Sequence, residues 1–515
     1  MIHRLMPALA LGLLSGCLVD PNVAALYETS PPDGSRVEGG TDAGIDLPAR
    51  DLPADFSGEP GGDLLADLSG EPGSDLPAVD LPTSDLPAPD LGLPPLGSGN
   101  ARLVYGDTTP TVVHRAWSAA SGWSTAAGLL TATKPAAWTL NEVSPTTPGD
   151  EAALVLSSDA SGTELKLLTR STAANWSTAW STTAIAVSES GKRGFDLAYE
   201  QSSGDLLVVY SNNTATPRYR TRSGGSWSAE QGLPINLNSG TALWVELVPR
   251  PGSNEVALLF ADANADLVVV VWDGSQWRTS SAKALETNLK PNSGTGGLFQ
   301  RCFDGAWEGQ SGDLLVAWGV AGLGGYRSAT LSGTSWTNLP AFTGTSGEID
   351  FVDLAGQAGS DLIAGVMMDQ GGGVERMVLA TWSGSAWNAA EYDSDTRDVN
   401  NVSQGDASAA VAWVNATTAI AVYADNASGV LDWARWTSGT NWVVQPDVTV
   451  AGKGETESVF LVPIPGKSQV MAVFSDSKSQ LGAGIYDGTS WTMSQWLSSA
   501  VARLDSAPFS LAFQK

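Results

Sequence analysis

The chain has 515 residues, with 55 Asp and Glu against 27 Lys and Arg, a net charge of −28, two His and two Cys. So acidic a surface repels phosphate backbones, which excludes nucleic acid as a partner. Two Cys cannot build a disulfide framework, and a single His in the body of the chain, His114, excludes a His-Glu-x-x-His metal site and a His-relayed triad.

The first segment reads as an address. His3 and Arg4 make a short polar start, and Leu5 to Leu14 is an apolar run interrupted by Pro7. Spanning a bilayer takes roughly 20 apolar residues, so this run suits the core of an export signal instead. Leu14-Ser15-Gly16-Cys17 follows directly. This stretch resembles the lipobox of bacterial lipoproteins. The resemblance implies cleavage after residue 16, acylation of Cys17 and anchoring in a membrane. Leu18, rather than Asp, follows the cysteine, which under the same resemblance favours the outer membrane. The expected location is the cell envelope, periplasmic or surface-exposed.

Residues 17–100 are expected to be a disordered tether behind that anchor. Asp-Leu-Pro recurs at 46–48, 51–53, 75–77, 80–82 and 85–87, and Ser-Gly-Glu-Pro-Gly occurs at 57–61 and 69–73. Residues 18–100 hold 16 acids and two Arg. Proline breaks regular structure, and like charges extend the chain.

Residues 101–515 read as a repeat array. A Trp after a turn recurs at Trp123, Trp176, Trp227, Trp277, Trp336, Trp387, Trp442 and Trp491, with spacings of 49 to 59 residues. Gly224, Gly274, Gly333, Gly384, Gly439 and Gly488 each lie three residues before one of these Trp. Each unit holds four short runs rich in Val, Leu, Trp and Tyr, bounded by Gly, Asn, Asp and Ser, which is strand-and-turn chemistry. Four strands in about 50 residues is the size of a β-propeller blade. The first unit offers only three runs, whereas Phe509–Phe513 is an orphan strand at the C-terminus. The expectation is therefore an all-β propeller of eight four-stranded blades, closed by the C-terminal strand and acting as a monomer. The Trp are expected to pack between blades, and Cys302 to be a buried, unpaired thiol near the ring axis.

The Gly-x-x-Trp turn is similar to the Asp-box of sialidase-type propellers in degenerate form. Asp273 and Asp487 lie four residues before their Trp, where that family places an Asp at five. The resemblance implies a structural turn. Phe195–Tyr210 nearly repeats as Phe303–Trp318 and looks like a repeat of large secreted bacterial surface proteins. A sialidase would need converging arginines. Arg193, Arg301, Arg397 and Arg503 fall near starts of innermost strands, but the family's Arg-Ile-Pro signature is absent. The repeat-equivalent pairs Asp196/Asp304 and Glu200/Glu308 read as solvated residues flanking those strands.

Two further sets of side chains carry oxygen ligands. Asp159, Asp262, Asp369, Asp425 and Asp476, with Asn213, sit in turns between second and third strands, where they either shape the turn or contact a ligand. Asp393, Asp395 and Asp398 lie in a long insert whose oxygens suit calcium, although an EF-hand order is absent. With no nucleophile motif, the expected function is a non-enzymatic binding module for a glycan or an envelope protein. A glycan-acting hydrolase and a purely structural envelope component are the alternatives.

Overall fold

The computed structural model describes residues 96–515, except 133, 160–161, 172–174, 184–191, 238–239, 291–299, 346, 372–373, 393–406, 408, 425–426, 495 and 503–505. The chain divides into two units, Met1–Leu81 and Pro82–Lys515. The first lies outside the described residues, as do Cys17 and the tether up to residue 95. The second is all-β, with eight sheets among the described residues.

Each sheet is a blade of four antiparallel strands, and blades are numbered here in chain order. Blade 2 spans 136–182, blade 3 195–232, blade 4 242–286, blade 5 303–343, blade 6 348–392, blade 7 409–449 and blade 8 456–493. Blade 1 combines two chain ends. Phe509–Phe513 pairs antiparallel with Ala101–Gly106, matching Phe509 to Tyr105 and Phe513 to Ala101. This is the three-plus-one closure expected from the missing run. The first strands of successive blades contact one another around the whole circle, with Phe509–Phe513 touching blade 2 on one side and blade 8 on the other.

Second strands are buried along their length, as in Val256–Asp262 and Leu314–Gly319. Each such strand has a neighbouring blade on both faces, so both faces must be apolar. That is why these runs are continuous rather than alternating in the sequence.

The ring alternates. In blades 2, 4, 6 and 8 the first strand carries a register shift at the same place: Ala136/Trp138, Ala242/Trp244, Ile349/Phe351 and Thr456/Ser458. The extra residue of a bulge re-aims the side chains beyond it. First strands of odd blades pair without a shift near their start, and in odd blades the outermost strand is split into two short pieces. Backbone hydrogen bonds repeat with the same period. The carbonyls of Arg193, Arg301, Ala407 and Ala507, each two residues before an odd first strand, accept from Val245, Val352, Val459 and Thr139 of the following even blade. The structural repeat is a pair of blades, four times over. The likeness of 195–210 to 303–318 therefore relates alternate blades.

The hairpin tryptophans close the seams between blades. All eight are buried or half-buried. Gly274, Gly333, Gly384 and Gly488 have φ between +60° and +95°, the left-handed turn conformation that a side chain resists. Trp336 donates to the Ser281 carbonyl of the preceding blade at 2.9 Å, and Trp387 to the Ser328 hydroxyl at 3.0 Å. Trp277 packs on Tyr219 of blade 3 with centroids 5.5 Å apart, and Trp491 on Trp433 of blade 7 at 5.9 Å. His114 holds the position in blade 1 that Tyr219 and Trp433 hold in theirs, and meets Trp176 edge to face. Its Nδ1 accepts from Arg102, which also grips Glu151 at 2.9 and 3.1 Å, so the ring's one histidine belongs to a buried clasp between blades 1 and 2.

Phe509 is fully buried in the closing strand. Phe509→Ala should lower the free energy of unfolding by about 3–5 kcal/mol, read from urea denaturation followed by tryptophan fluorescence. A loss below about 1 kcal/mol would mean that the closing strand contributes little.

Candidate functional site

The first strands of all eight blades enclose a cavity of about 270 Å³ on the ring axis. Its wall follows from the alternation described above. Residues two before an odd first strand, together with the position two beyond the even-blade bulge, point into this space. In blades 3 to 6 they are Arg193, Glu246, Arg301 and Asp353. In blades 7, 8, 1 and 2 they are Ala407, Phe460, Ala507 and Leu140. At these eight positions one half of the wall is thus charged with alternating sign and the other half is apolar, with Asn141, Glu142 and Ser510 lining the cavity beside the apolar positions. Trp138 and Trp244 add an aromatic edge, their rings meeting edge to face at 5.9 Å although a blade lies between them.

The charged half is a continuous ion-pair chain. Glu246 binds Arg193 through one oxygen and Arg301 through the other, the latter at 3.2 Å. Arg301 also reaches Asp304 at 3.0 Å and Asp353 at 3.1 Å, and its guanidinium lies over the Phe351 ring. Arg193 meets Asp196 at 3.3 Å. Burial works against the Arg301 cation, but Asp304, Glu246 and Asp353 outweigh it and hold its pKa above the ordinary value.

Asp196 and Asp304 do a second job. Asp196 accepts from the Leu247 amide of blade 4, and Asp304 from the Leu354 amide of blade 6, both at 2.8 Å. Asp353 likewise accepts from Val411 of blade 7 at 2.9 Å. These carboxylates clasp neighbouring first strands. The expectation of solvated residues is corrected here: Asp196 and Asp304 are 6 % and 4 % exposed, and Glu200 and Glu308 are 3 % and 4 % exposed. Glu200 accepts from the Trp272 indole at 2.7 Å and Glu308 from the Trp382 indole at 2.6 Å, each across a seam between sheets. Polar residues near a strand end resemble solvent-facing ones in sequence. Only the ring places the next blade against them.

Glu142 differs from the other acids. It lines the cavity at the end of the first strand of blade 2, faces the accessible space, and makes no hydrogen bond or ion pair among the described residues. Enclosure by the ring pushes its pKa up to about 7; Lys515 opposes this and Asp196 adds to it. Burial also raises Asp196, Asp304 and Asp353, against the pull of Arg193 and Arg301.

Arg193, Arg301 and Asp196, noted in the sequence near the starts of innermost strands, thus line the cavity, whereas the turn acids Asp159, Asp262 and Asp476 do not. Asp262 and Asp476 are fully buried in equivalent turns. Asp262 accepts from Gly240, Asn264 and Asp266 amides at 2.7 to 3.0 Å, and Asp476 from Gly454, Lys478 and Gln480 amides at 2.7 to 3.0 Å. Three amide donors consume each carboxylate, which leaves turn shaping as its work. Gly240 is required there, because a Cβ would stand 2.9 Å from the Ala263 and Asn264 amides. Asp159 pairs with Lys134 at 3.3 Å on the surface. The side chain of Asp369, the residue Asp425, and Asp393, Asp395 and Asp398 lie outside the described residues, as do Arg397 and Arg503. Among the described residues no group of three or more His, Cys, Asp or Glu is arranged to hold a metal ion. Cys302 is buried and unpaired, and burial pushes its thiol up to about 12, so it stays a thiol at neutral pH.

Glu246 and Asp353 were legible in principle. Trp244-Val245-Glu246-Leu247 and Phe351-Val352-Asp353-Leu354 are aligned segments in which an acid interrupts an otherwise apolar strand. Their meeting with Arg193 and Arg301 depends on the ring.

No family model matches the chain, and no curated protein matches it. Similar solved structures include the BP39L lectin of Burkholderia pseudomallei, 13 % identical with a TM-score of 0.47, covering 71 % of this chain and 98 % of that one. A protein from Lactobacillus plantarum is 11 % identical with a TM-score of 0.42, covering 81 % of this chain and 100 % of that one. The six-bladed fucose-recognising lectin of Aleuria aurantia is 14 % identical with a TM-score of 0.33, covering 61 % of this chain and 98 % of that one. At these identities and scores none of the three bears on the ligand of this chain.

Two measurements check the electrostatics. Asp304→Ala leaves Arg301 and the Leu354 amide short of a partner, so unfolding should cost about 3–5 kcal/mol less. The raised carboxylates give a sign for pH. The folded chain holds protons that the unfolded chain releases, so stability should fall as pH rises from 4.5, the ordinary value for Glu142, to about 7. Glu142→Gln should flatten that slope in urea titrations; an unchanged slope would rule out Glu142 as its source.

Proposed function

We propose that this chain is a lipid-anchored binding module of the bacterial cell envelope whose propeller holds a glycan in the axial cavity. The cavity carries the reading: it joins an apolar, partly aromatic half to a half of fixed charged and hydrogen-bonding groups. A sugar ring has an apolar face that packs on apolar and aromatic side chains, and hydroxyls that pair with carboxylates and guanidinium groups. Glu246 and Asp353 both bind Arg301, which suits them to holding a ligand and leaves neither free as an acid or nucleophile. The Leu14-Ser15-Gly16-Cys17 sequence and the acidic, proline-rich stretch behind it support an anchor and a spacer.

A glycan array probed with the full chain in detergent, with and without Ca²⁺, tests the ligand. Binding to a defined glycan class is expected, and Leu140→Trp, which fills the apolar half of the cavity, should weaken it about tenfold or more. A silent array, or hits indifferent to Leu140→Trp, would overturn the axial reading. Dependence on Ca²⁺ that is lost in the Asp393→Asn, Asp395→Asn and Asp398→Asn variant would assign the cation to those acids. Mass spectrometry of the mature chain should show acyl groups on Cys17, and Cys17→Ser should move the protein from the membrane to the soluble fraction.

A further inference from the structure

Among the described residues the charges on the cavity wall do not balance: four acids line it, Glu142, Asp196, Glu246 and Asp353, against two bases, Arg193 and Arg301. Asp304 stands behind Arg301 and adds a fifth carboxylate to the same chain. Among the described residues a further cation felt by Glu142 is Lys515, whose ammonium is held by the Gln201 side chain at 2.6 Å. Asp196, Glu246 and Asp353 are already engaged by guanidinium groups or backbone amides. Glu142 alone is not.

Glu142 is exposed to the space inside the cavity, and the charge of Asp196 works against its ionised form. Such a wall favours any occupant that brings positive charge, and penalises an anion of the same shape. Leu140, two residues before Glu142 on the same strand, with Phe460 of blade 8 and Ala507 of blade 1, presents an apolar surface next to this carboxylate. The occupant that satisfies both has a compact body with one apolar face and one ammonium group.

Resting on the glycan reading above, we infer that the axial cavity selects a cationic amino sugar, with its unacetylated ammonium against Glu142 and the apolar face of its ring on Phe460 and Leu140. Arg193 and Arg301 serve as hydroxyl donors and exclude a second cation. Acetylation of the amine would remove the charge and add bulk in a space of about 270 Å³.

Titration calorimetry of the full chain in detergent at pH 7 with glucosamine, N-acetylglucosamine and glucose tests this. Glucosamine is expected to bind about tenfold tighter than either neutral sugar, the discrimination expected of one carboxylate on the cavity wall that no base neutralises. Glu142→Gln should abolish that preference, and Glu142→Asp should keep most of it; circular dichroism of both variants monitors folding. Binding should also weaken as pH falls through about 7 and Glu142 takes up a proton, whereas affinity for the neutral sugars should not change. Equal affinity for the three sugars, or a preference indifferent to Glu142→Gln, would overturn the inference and leave the glycan reading standing. Binding of none of the three overturns it too; the array then separates the cases, since hits sensitive to Leu140→Trp keep the glycan reading and a silent array sinks both.

Discussion

Pairing of Phe509–Phe513 with Ala101–Gly106 is the interaction on which the ring depends. Without it blade 1 would lack its innermost strand, and blades 8 and 2 would each present an apolar flank to water. With it, every second strand is covered on both faces, and no blade is an end. Closure brings residues hundreds of positions apart into contact. Gln514 donates to the Ser144 carbonyl, and Ser510 to Asn141. Contacts this distant in sequence carry a large loop-closure entropy cost, which the burial they complete must offset.

Closure fixes the ring, and alternation decides what the ring encloses. A bulge at one place in each even first strand turns the residues beyond it toward the axis, while the odd strands supply the residue just before their start. Eight positions thereby face one space. Four successive ones hold Arg, Glu, Arg and Asp, and four hold Ala, Phe, Ala and Leu. Because the substitutions fall on contiguous blades, fourfold backbone symmetry yields a cavity with two unlike sides. The same acids that line it also hold first strands of neighbouring blades together, so recognition and architecture share side chains. That sharing explains why breaking an ion pair here is expected to weaken the fold as well as the site.

Much of the architecture could be read from the chain. Gly-x-x-Trp turns at intervals of 49 to 59 residues gave the blade, and the unmatched run at 509–513 gave the closure. These are local signals: a positive-φ glycine, a hairpin and a strand period are written in a few neighbouring residues. Glu200 and Glu308 show the limit. Next to turn residues they read as solvated, yet each accepts a hydrogen bond from an indole more than 70 residues away. Asp262 and Asp476 show the converse, since turn chemistry alone accounts for them.

By itself, then, the sequence determined the number of blades, their strands, the turn that caps each hairpin and the manner of closure, because each follows from short-range periodicity and propensity. Tertiary structure alone decided which charged residues share a space. Arg193, Glu246, Arg301 and Asp353 stand about 50 residues apart, in strands whose text gives no sign of which face looks inward until the bulge sets it. The unequal count of acids and bases on one cavity wall exists only once eight strands have been drawn around a single axis.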